Sequence, residues 1–126
     1  MIELMSGLFS SPLEDKIETI KELYPRISNE EATKQHIILP ILNGLWWEVD
    51  NPQEVYPEKQ TRNKKRPDYT LIVDGKPVAF LEAKSAKTSI IGRRGVVAKY
   101  ARQLMEYCFE EGVALGILTN GIQWGC

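Results

Sequence analysis

Apolar side chains recur with a helical period in the first third of the chain. In residues 13–24 they fall at positions 13, 17, 20, 23 and 24, which is the spacing of a helix with one buried face. Ser11-Pro12 is a suitable helix start, and Pro25 is expected to end the helix.

A second helix is predicted to begin near Ser28 or Asn29, since either residue is a good N-cap. Pro40 lies inside its apolar stripe and predicts a kink or break there. The stripe consists of Ile37, Ile38, Ile41, Leu42 and Leu45.

The period then changes to that of strands. Residues 46–49 and 54–56 are expected to be extended. Residues 69–73 and 78–83 are two strand-like runs, and Asp74-Gly75 between them is typical of a tight hairpin turn.

The last third of the chain alternates between loop, helix and strand. The Gly-containing basic segment 86–95 is predicted to be a loop, and 96–111 a helix that ends at Gly112. Residues 113–118 form a continuous apolar run, as in a buried strand, and a short strand begins at 122–124.

This order predicts an α/β fold, a sandwich with a central mixed sheet flanked by helices. The whole chain, 1–126, is interpreted as one domain, with a helical extension over 1–27 and the core over 28–126. The abrupt end indicates either a domain truncated at its C-terminus or an unusually short last strand.

Composition is ordinary for a soluble globular domain, with 43% hydrophobic and 26% charged residues. No apolar run reaches the ~18 residues that a membrane span needs, and the N-terminus does not have the pattern of a signal peptide. A cytoplasmic protein without membrane contact is therefore expected. Cys108 and Cys126 show no metal-ligand spacing and are interpreted as free thiols.

The net charge of −1 says little about a nucleic-acid partner, but the basic residues are grouped. Solvated loop and helix faces are the simpler interpretation of these groups, and a track for phosphates is the alternative. The first group comprises Lys59, Arg62, Lys64, Lys65 and Arg66, and the second comprises Arg93, Arg94, Lys99 and Arg102.

Two carboxylates and an amine are expected to converge at the open end of the predicted hairpin. Glu82 and Lys84 are two residues apart and so share a sheet face, while Ala83 faces the core. The turn brings Asp68 close to Glu82. Oxygen ligands suit Mg²⁺, and the Ala83 carbonyl could add one more. The alternative is a surface Glu–Lys pair, with Asp68 merely opening a turn.

The surrounding motifs resemble a known family. Pro67-Asp68, thirteen intervening residues and Glu82-Ala83-Lys84 match the PD-(D/E)XK nuclease motif. With EEATKQHIILPILNGLWWEVDNPQEVYPEKQ, ARQLMEY and ILTNGIQW, the chain resembles, over about 28–124, the N-terminal nuclease domain of type I restriction endonuclease R subunits and their stand-alone relatives. The resemblance implies a restriction-endonuclease-like fold. Relatives usually have Leu-Gly-Trp where this chain has Leu45-Trp46-Trp47.

The resemblance also implies roles for individual residues. Asp68 and Glu82 would bind the metal, and Lys84 would be catalytic. Gln103 and Tyr107 match the family's glutamine–tyrosine helix motif and, four residues apart, share a helix face. An exposed amide and a core aromatic are the alternative interpretation of that pair.

An acidic residue on an early helix tends to approach the metal in this family. Glu30 and Glu31 are the candidates, and Glu31 is preferred because it lies seven residues before Ile38 on the inward stripe. Two first-turn glutamates favoured by the helix dipole would give the same pattern.

These observations predict a restriction-type endodeoxyribonuclease that depends on Mg²⁺, or on Mn²⁺, and hydrolyses phosphodiester bonds with a water that the metal activates. Its partners would be DNA, a second copy in a homodimer, and motor or specificity subunits of a restriction system. The predicted DNA contacts are Lys64, Lys65, Arg66, Arg93, Arg94 and Tyr107. A non-catalytic DNA-binding or assembly module on the same scaffold is the alternative, and an unrelated α/β protein with a chance motif is the third.

Overall fold

A computed structural model describes residues 12–58 and 66–126 of the chain. Its strands are β1 (Val55–Pro57), β2 (Tyr69–Val73), β3 (Lys76–Ala83), β4 (Ile91–Gly92), β5 (Gly95–Val96), β6 (Leu115–Thr119) and β7 (Trp124–Gly125). Its helices are α1 (Pro12–Leu23), α2 (Glu30–Thr33), α3 (Leu39–Gly44) and α4 (Ala98–Glu111), with a 3₁₀ turn over Tyr24–Arg26 and a π turn over Lys34–Ile38.

Five strands form a mixed sheet in the order β1-β2-β3-β6-β7. Strand β3 pairs antiparallel with β2 and parallel with β6, so α4 lies in the crossover connection between the two parallel strands. Strand β7 pairs antiparallel with β6 and is two residues long. The predicted α/β architecture with a central mixed sheet is confirmed.

The β2–β3 hairpin turns at Asp74-Gly75, where both residues have positive φ angles, 51° and 75°. Two left-handed residues make the tight turn whose twist suits a two-stranded hairpin, and glycine adopts that conformation readily. Because Tyr69 pairs with Leu81, the residues just outside this pair, Asp68 and Glu82, lie at the same end of the hairpin.

Helices cover both faces of the sheet. On one face Ile38 and Leu42, from the π turn and α3, pack in a core cluster with Leu71 and Leu81. On the other face Leu104 of α4 packs with Phe80, Val113 and Leu118. The sandwich therefore leaves the C-terminal end of β3 between the two helical layers.

The second predicted helix begins as expected, because the Asn29 side chain accepts a hydrogen bond from the Ala32 amide at 2.8 Å. It does not continue as a regular helix. The irregularity is a π turn over Lys34–Ile38, which precedes Pro40. Proline has no N–H to donate to a carbonyl one turn earlier, so the widened turn occupies the place where a regular bond is lost.

Other details differ from expectation. Residues 46–49, predicted to be extended, form a turn in which Trp46 is 79% exposed and has φ 74°. That left-handed conformation favours glycine, the residue that the family resemblance led us to expect between Leu45 and Trp47. The predicted loop 86–95 contains the small β4–β5 hairpin.

The described ranges hold no helix long and apolar enough to cross a bilayer. That 1–27 is an extension of the 28–126 core stays a prediction.

Candidate functional site

Asp68 is clamped through both of its carboxylate oxygens. Its Oδ2 accepts a hydrogen bond from the Ala83 amide at 2.8 Å, and its Oδ1 lies 3.0 Å from the Lys34 ammonium. The side chain is 6% exposed. The backbone of β3 therefore holds Asp68 against the strand that carries Glu82. Ala83 is fully buried in the core, as predicted, and contributes its N–H to this clamp.

Glu82 is a buried acid beside another acid. Burial, a hydrogen bond with Asp68 and the negative charge of Asp68 raise the pKa of Glu82 to about 9. Without a cation Glu82 therefore keeps its proton near neutral pH. Bringing both groups to the charged state requires a compensating positive charge.

Glu30 is the third acid of the cluster. Ligand oxygens of Glu30, Asp68 and Glu82 lie within 4.8 Å of one another. Burial, followed by the negative charge of Asp68, raises the pKa of Glu30 above its ordinary value. Glu31 lines the same pocket, but its side chain is 85% exposed and ion-paired with Lys34. The geometry thus places Glu30 in the cluster and reverses the preference for Glu31.

The start of α2 decides that Glu30 lies in the carboxylate cluster while the Glu31 side chain is exposed. Asn29 caps α2, so Glu30 is the first helical residue and Glu31 the second. Successive residues on a helix point about 100° apart, and the irregular turn after Thr33 breaks the seven-residue phase that connected Glu31 with Ile38. The seven-residue spacing to Ile38 therefore does not turn Glu31 inward, and its side chain is exposed.

Lys34 lies in the site although no motif or spacing in the sequence points to it. Its ammonium is 3.0 Å from Asp68 Oδ1 and 2.8 Å from Glu31 Oε1, and the side chain is 15% exposed. Burial disfavours the charged form of Lys34, but hydrogen bonds to Glu31 and Asp68 outweigh burial and raise its pKa above the ordinary value. The lysine is thus a permanent cation beside the acids.

Lys84 approaches from the other side of the cluster. It follows β3 directly, and its amide donates to the Thr119 carbonyl at 2.8 Å. Its ammonium lies 5.0 Å from the centre of the Tyr100 ring, within the range of a cation–π contact. Tyr100, from the first turn of α4, is therefore a second residue that the sequence analysis missed.

Gln103 and Tyr107, four residues apart on α4, both line the pocket that contains the carboxylates. Burial and then the negative charge of Glu82 raise the pKa of Tyr107, and the neighbouring Gln103 side chain partly offsets this rise. A pocket of about 270 Å³ brings together nearly all the predicted catalytic and metal residues. It is lined by Glu30, Glu31, Lys34, Asp68, Glu82, Lys84, Gln103 and Tyr107.

The predicted DNA contacts are spread more widely. Arg93 and Arg94 are exposed on the turn between β4 and β5, in the connection from β3 to α4. Arg66 is half-buried, two residues before Asp68. Lys64 and Lys65 lie outside the described residues.

The Thr-Asn-Gly turn after β6 supports the site from behind. The Asn120 side chain donates to the Thr88 carbonyl at 2.8 Å and accepts the Gln123 amide at 2.6 Å. Gln123 in turn accepts the Ile90 amide at 2.9 Å. The turn therefore fixes the connection that leaves the site after Lys84, and these residues act as structural supports.

The donor set fits a hard divalent cation. Three carboxylates converge, and two of them are buried, while the described pocket lining contains no histidine or cysteine. Mg²⁺ and Mn²⁺ favour oxygen ligands of this kind, with water completing the coordination. Burial and then the neighbouring Asp68 raise the pKa values of Glu30 and Glu82, and a bound cation would offset both effects.

Residues 58–125, more than half of the chain, match the family described as the type I restriction enzyme R protein N terminus. Comparisons with curated proteins and with solved structures give no match. The matched range includes Asp68, Glu82 and Lys84 and ends before the last residue, and Glu30 and Lys34 precede it.

Proposed function

The chain belongs to the family of type I restriction enzyme R protein N termini, and on that premise we propose that it is a divalent-metal-dependent endodeoxyribonuclease of the restriction type. The proposal is carried by one observation. Three carboxylates of Glu30, Asp68 and Glu82 converge within 4.8 Å in a pocket that also contains Lys84. The surface Glu–Lys pair weighed as an alternative does not account for buried, mutually hydrogen-bonded acids.

Asp68 and Glu82 are the proposed metal ligands, with Glu30 as the third carboxylate in place of Glu31. Mg²⁺, or Mn²⁺ in its place, would lower the pKa of a water molecule and neutralise phosphate charge. The Ala83 carbonyl remains a candidate for a further ligand. The fixed position of Asp68 means that part of the site is ordered before any metal arrives.

Lys84 is the proposed catalytic lysine. Its ammonium extends from the end of β3 into the pocket, where it can hold the attacking water or stabilise the negative charge that develops on the scissile phosphate. The Tyr100 ring limits the positions that the flexible lysine side chain can take. Gln103 and Tyr107 supply an amide and a hydroxyl on the α4 side, where they can bind the phosphate backbone or orient the water.

DNA is the proposed substrate. Arg93, Arg94, Arg66 and the basic residues Lys64 and Lys65 would contact its phosphates, which fixes position without reading sequence. Motor and specificity subunits of a restriction system are proposed partners. Two cuts through a duplex need two active sites, so a homodimer is part of the proposal. We place this activity in the cytoplasm, where a restriction enzyme meets incoming DNA.

The direct test is cleavage of supercoiled and linear DNA by the whole chain in Mg²⁺, Mn²⁺ or EDTA, with Lys84→Ala as the comparison. Cutting that needs the metal and disappears in the variant supports the proposal. If the wild type binds DNA in a salt-sensitive manner but cuts neither substrate with either metal, the non-catalytic binding module becomes the better account.

A further inference from the structure

Lys34 has a place in the site that the proposed reaction does not explain. It is held at the start of the π turn, between an acid in the cluster and an acid in solvent. Asp68 Oδ1 is 3.0 Å away and Glu31 Oε1 is 2.8 Å away. A lysine with 15% exposure loses conformational freedom and hydration, so this position needs a compensating interaction.

The backbone around Lys34 is fixed on both sides. The hydroxyl of Thr33, which is fully buried, donates to the Asn29 carbonyl at 2.7 Å and accepts the Ala86 amide at 2.9 Å. Ile37, also fully buried, packs in a core cluster with Ile20 and Ile27. The ammonium therefore cannot be moved far by a shift of its helix, and only side-chain rotation can take it away from Asp68.

We infer that Lys34 is a built-in counter-cation, which holds the carboxylates of Asp68, Glu30 and Glu82 together before a metal binds and then competes with that metal at Asp68. The inference rests on the proposed divalent-metal site. Even with Glu82 protonated, negative charge remains in a cluster whose ligand oxygens lie within 4.8 Å of one another, and the Lys34 ammonium, 3.0 Å from Asp68 Oδ1, offsets that charge.

Competition follows from the shared ligand. A divalent ion binds a carboxylate oxygen at about 2.1 Å, so it would lie within about 5 Å of an ammonium that contacts the same oxygen. Like charges at that separation weaken metal binding. Glu31 gives the displaced ammonium a second acceptor, and because its side chain is 85% exposed it can follow the lysine. Lys34 is thus a positioning residue that acts through Asp68.

The test is Lys34→Met, which keeps the length of the side chain and removes the charge. In EDTA its melting temperature should fall by about 5 °C or more below that of the wild type. Calorimetric titration with Mn²⁺ alone should show roughly threefold or more tighter binding than the wild type. The matched control is Lys21→Met, where an exposed lysine 3.4 Å from Glu18 is lost and both quantities should stay near wild type.

Unchanged or weaker Mn²⁺ binding by Lys34→Met would overturn the inference. Lys34→Arg keeps the charge and should retain wild-type affinity, so equal tightening in the arginine variant would also refute it. If Lys34→Met is unfolded in EDTA, Mn²⁺ should restore its folding, and failure to do so would count against a purely electrostatic role. If the wild type binds no Mn²⁺, the proposed metal site is refuted. The melting temperatures of the wild type and Lys34→Met in EDTA would then show whether Lys34 stabilises the acids in the absence of metal.

Discussion

Glu82 shows how the site changes the chemistry of a single residue. An ordinary glutamate loses its proton at a pKa of 4.5, whereas burial and then Asp68 raise the pKa of Glu82 to about 9. The folded protein without metal therefore binds a proton that the unfolded chain releases. This difference links folding, pH and metal binding through one carboxyl group.

The first prediction is that the metal-free protein becomes less stable as pH rises from about 5 to 9. Over that window the unfolded chain has lost the proton of Glu82 and the folded chain keeps it, so each increase in pH favours unfolding. With saturating Mn²⁺ the trend should reverse, because the metal needs the deprotonated acid. Thermal unfolding against pH, in EDTA and in Mn²⁺, measures both trends.

Glu82→Gln is the control for that experiment. The amide has the same shape and no acid proton, so its melting temperature in EDTA should depend less on pH than that of the wild type. A wild-type curve in EDTA that stays flat between pH 5 and 9 would show that Glu82 is charged in the folded state.

The second prediction concerns the contact between Lys84 and Tyr100. Tyr100→Leu removes the aromatic face and should reduce the cleavage rate by roughly three- to thirtyfold, since such contacts are worth about 0.5–2 kcal/mol. Mn²⁺ affinity should be unchanged because Tyr100 is not among the residues that line the pocket with the three carboxylates. Tyr100→Phe keeps the ring and should cut like the wild type. A Phe variant as slow as the Leu variant would mean that the hydroxyl, not the ring, matters.

At the level of single residues, the sequence identifies the site residues whose type and spacing form a motif. It does not identify the residues that reach the site only through the way the chain folds. Asp68, Glu82 and Lys84 form a recognisable motif on two adjacent strands. Lys34 and Tyr100 belong to no motif, and their positions depend on how two helices pack against the sheet. Glu30 and Glu31 are chemically identical neighbours, so only the helix start and the π turn distinguish them.

Among the elements, the irregular helix from α2 to α3 matters most for the site. It carries Glu30 and Lys34. The hydrogen bond from the Ala86 amide to the Thr33 hydroxyl holds it in place, and it packs against the Thr-Asn-Gly turn. A Cβ placed on Gly121 would meet Ile37 Cγ2 at 2.6 Å, closer than real atoms approach. The Thr-Asn-Gly turn therefore packs directly against the helix that carries Glu30 and Lys34, and the contact leaves no space for a side chain at Gly121.

The third prediction is that Gly121→Ala destabilises the protein by about 2–4 kcal/mol and weakens Mn²⁺ binding. Two effects add up, the strain of a left-handed φ of 89° and the overlap with Ile37. Gly75→Ala is the matched control, because φ is 75° there and a Cβ would meet nothing within 4 Å. Chemical denaturation and calorimetry measure the two quantities. Equal effects of both variants would show that contact with the helix is unimportant.

Most elements could be predicted because each has a local signal. Three such signals are the Asp74-Gly75 turn, the glycine at the end of α4 (Gly112) and the apolar run that precedes Thr119. The structure confirms the hairpin, the helix end and the strand that they predict. The π turn has no comparable signal. Pro40 indicated a disturbance, but which turn widens depends on buried contacts such as those of Ile37.

At the scale of the molecule, the sandwich determines where the chemistry is. Strand β3 ends between two helical layers, so acids from the hairpin meet Glu30 from one layer and Gln103 and Tyr107 from the other. The β4–β5 hairpin lies in the connection from β3 to α4, and its Arg93 and Arg94 are exposed. Its charges are available to a polyanion without being part of the pocket.

The fourth prediction is that replacing both Arg93 and Arg94 by Gln weakens DNA binding and reduces its salt dependence. Each phosphate contact contributes about 0.9 to the slope of log affinity against log salt concentration, so the slope should fall by about 2. Lys76→Gln, an exposed change at the start of β3, is the control and should leave the slope unchanged. A slope unchanged in the double variant would remove this hairpin from the DNA-binding surface.

The central claim is that Glu30, Asp68 and Glu82 form a divalent cation site, and Mn²⁺ titration by calorimetry tests it most directly. The variants to compare are Glu30→Gln and Glu31→Gln, neighbouring residues of the same type. One Mn²⁺ should bind to the wild type, Glu30→Gln should lose at least about tenfold in affinity, and Glu31→Gln should stay within about threefold. A larger loss in Glu31→Gln than in Glu30→Gln, or no binding by the wild type, would contradict the account.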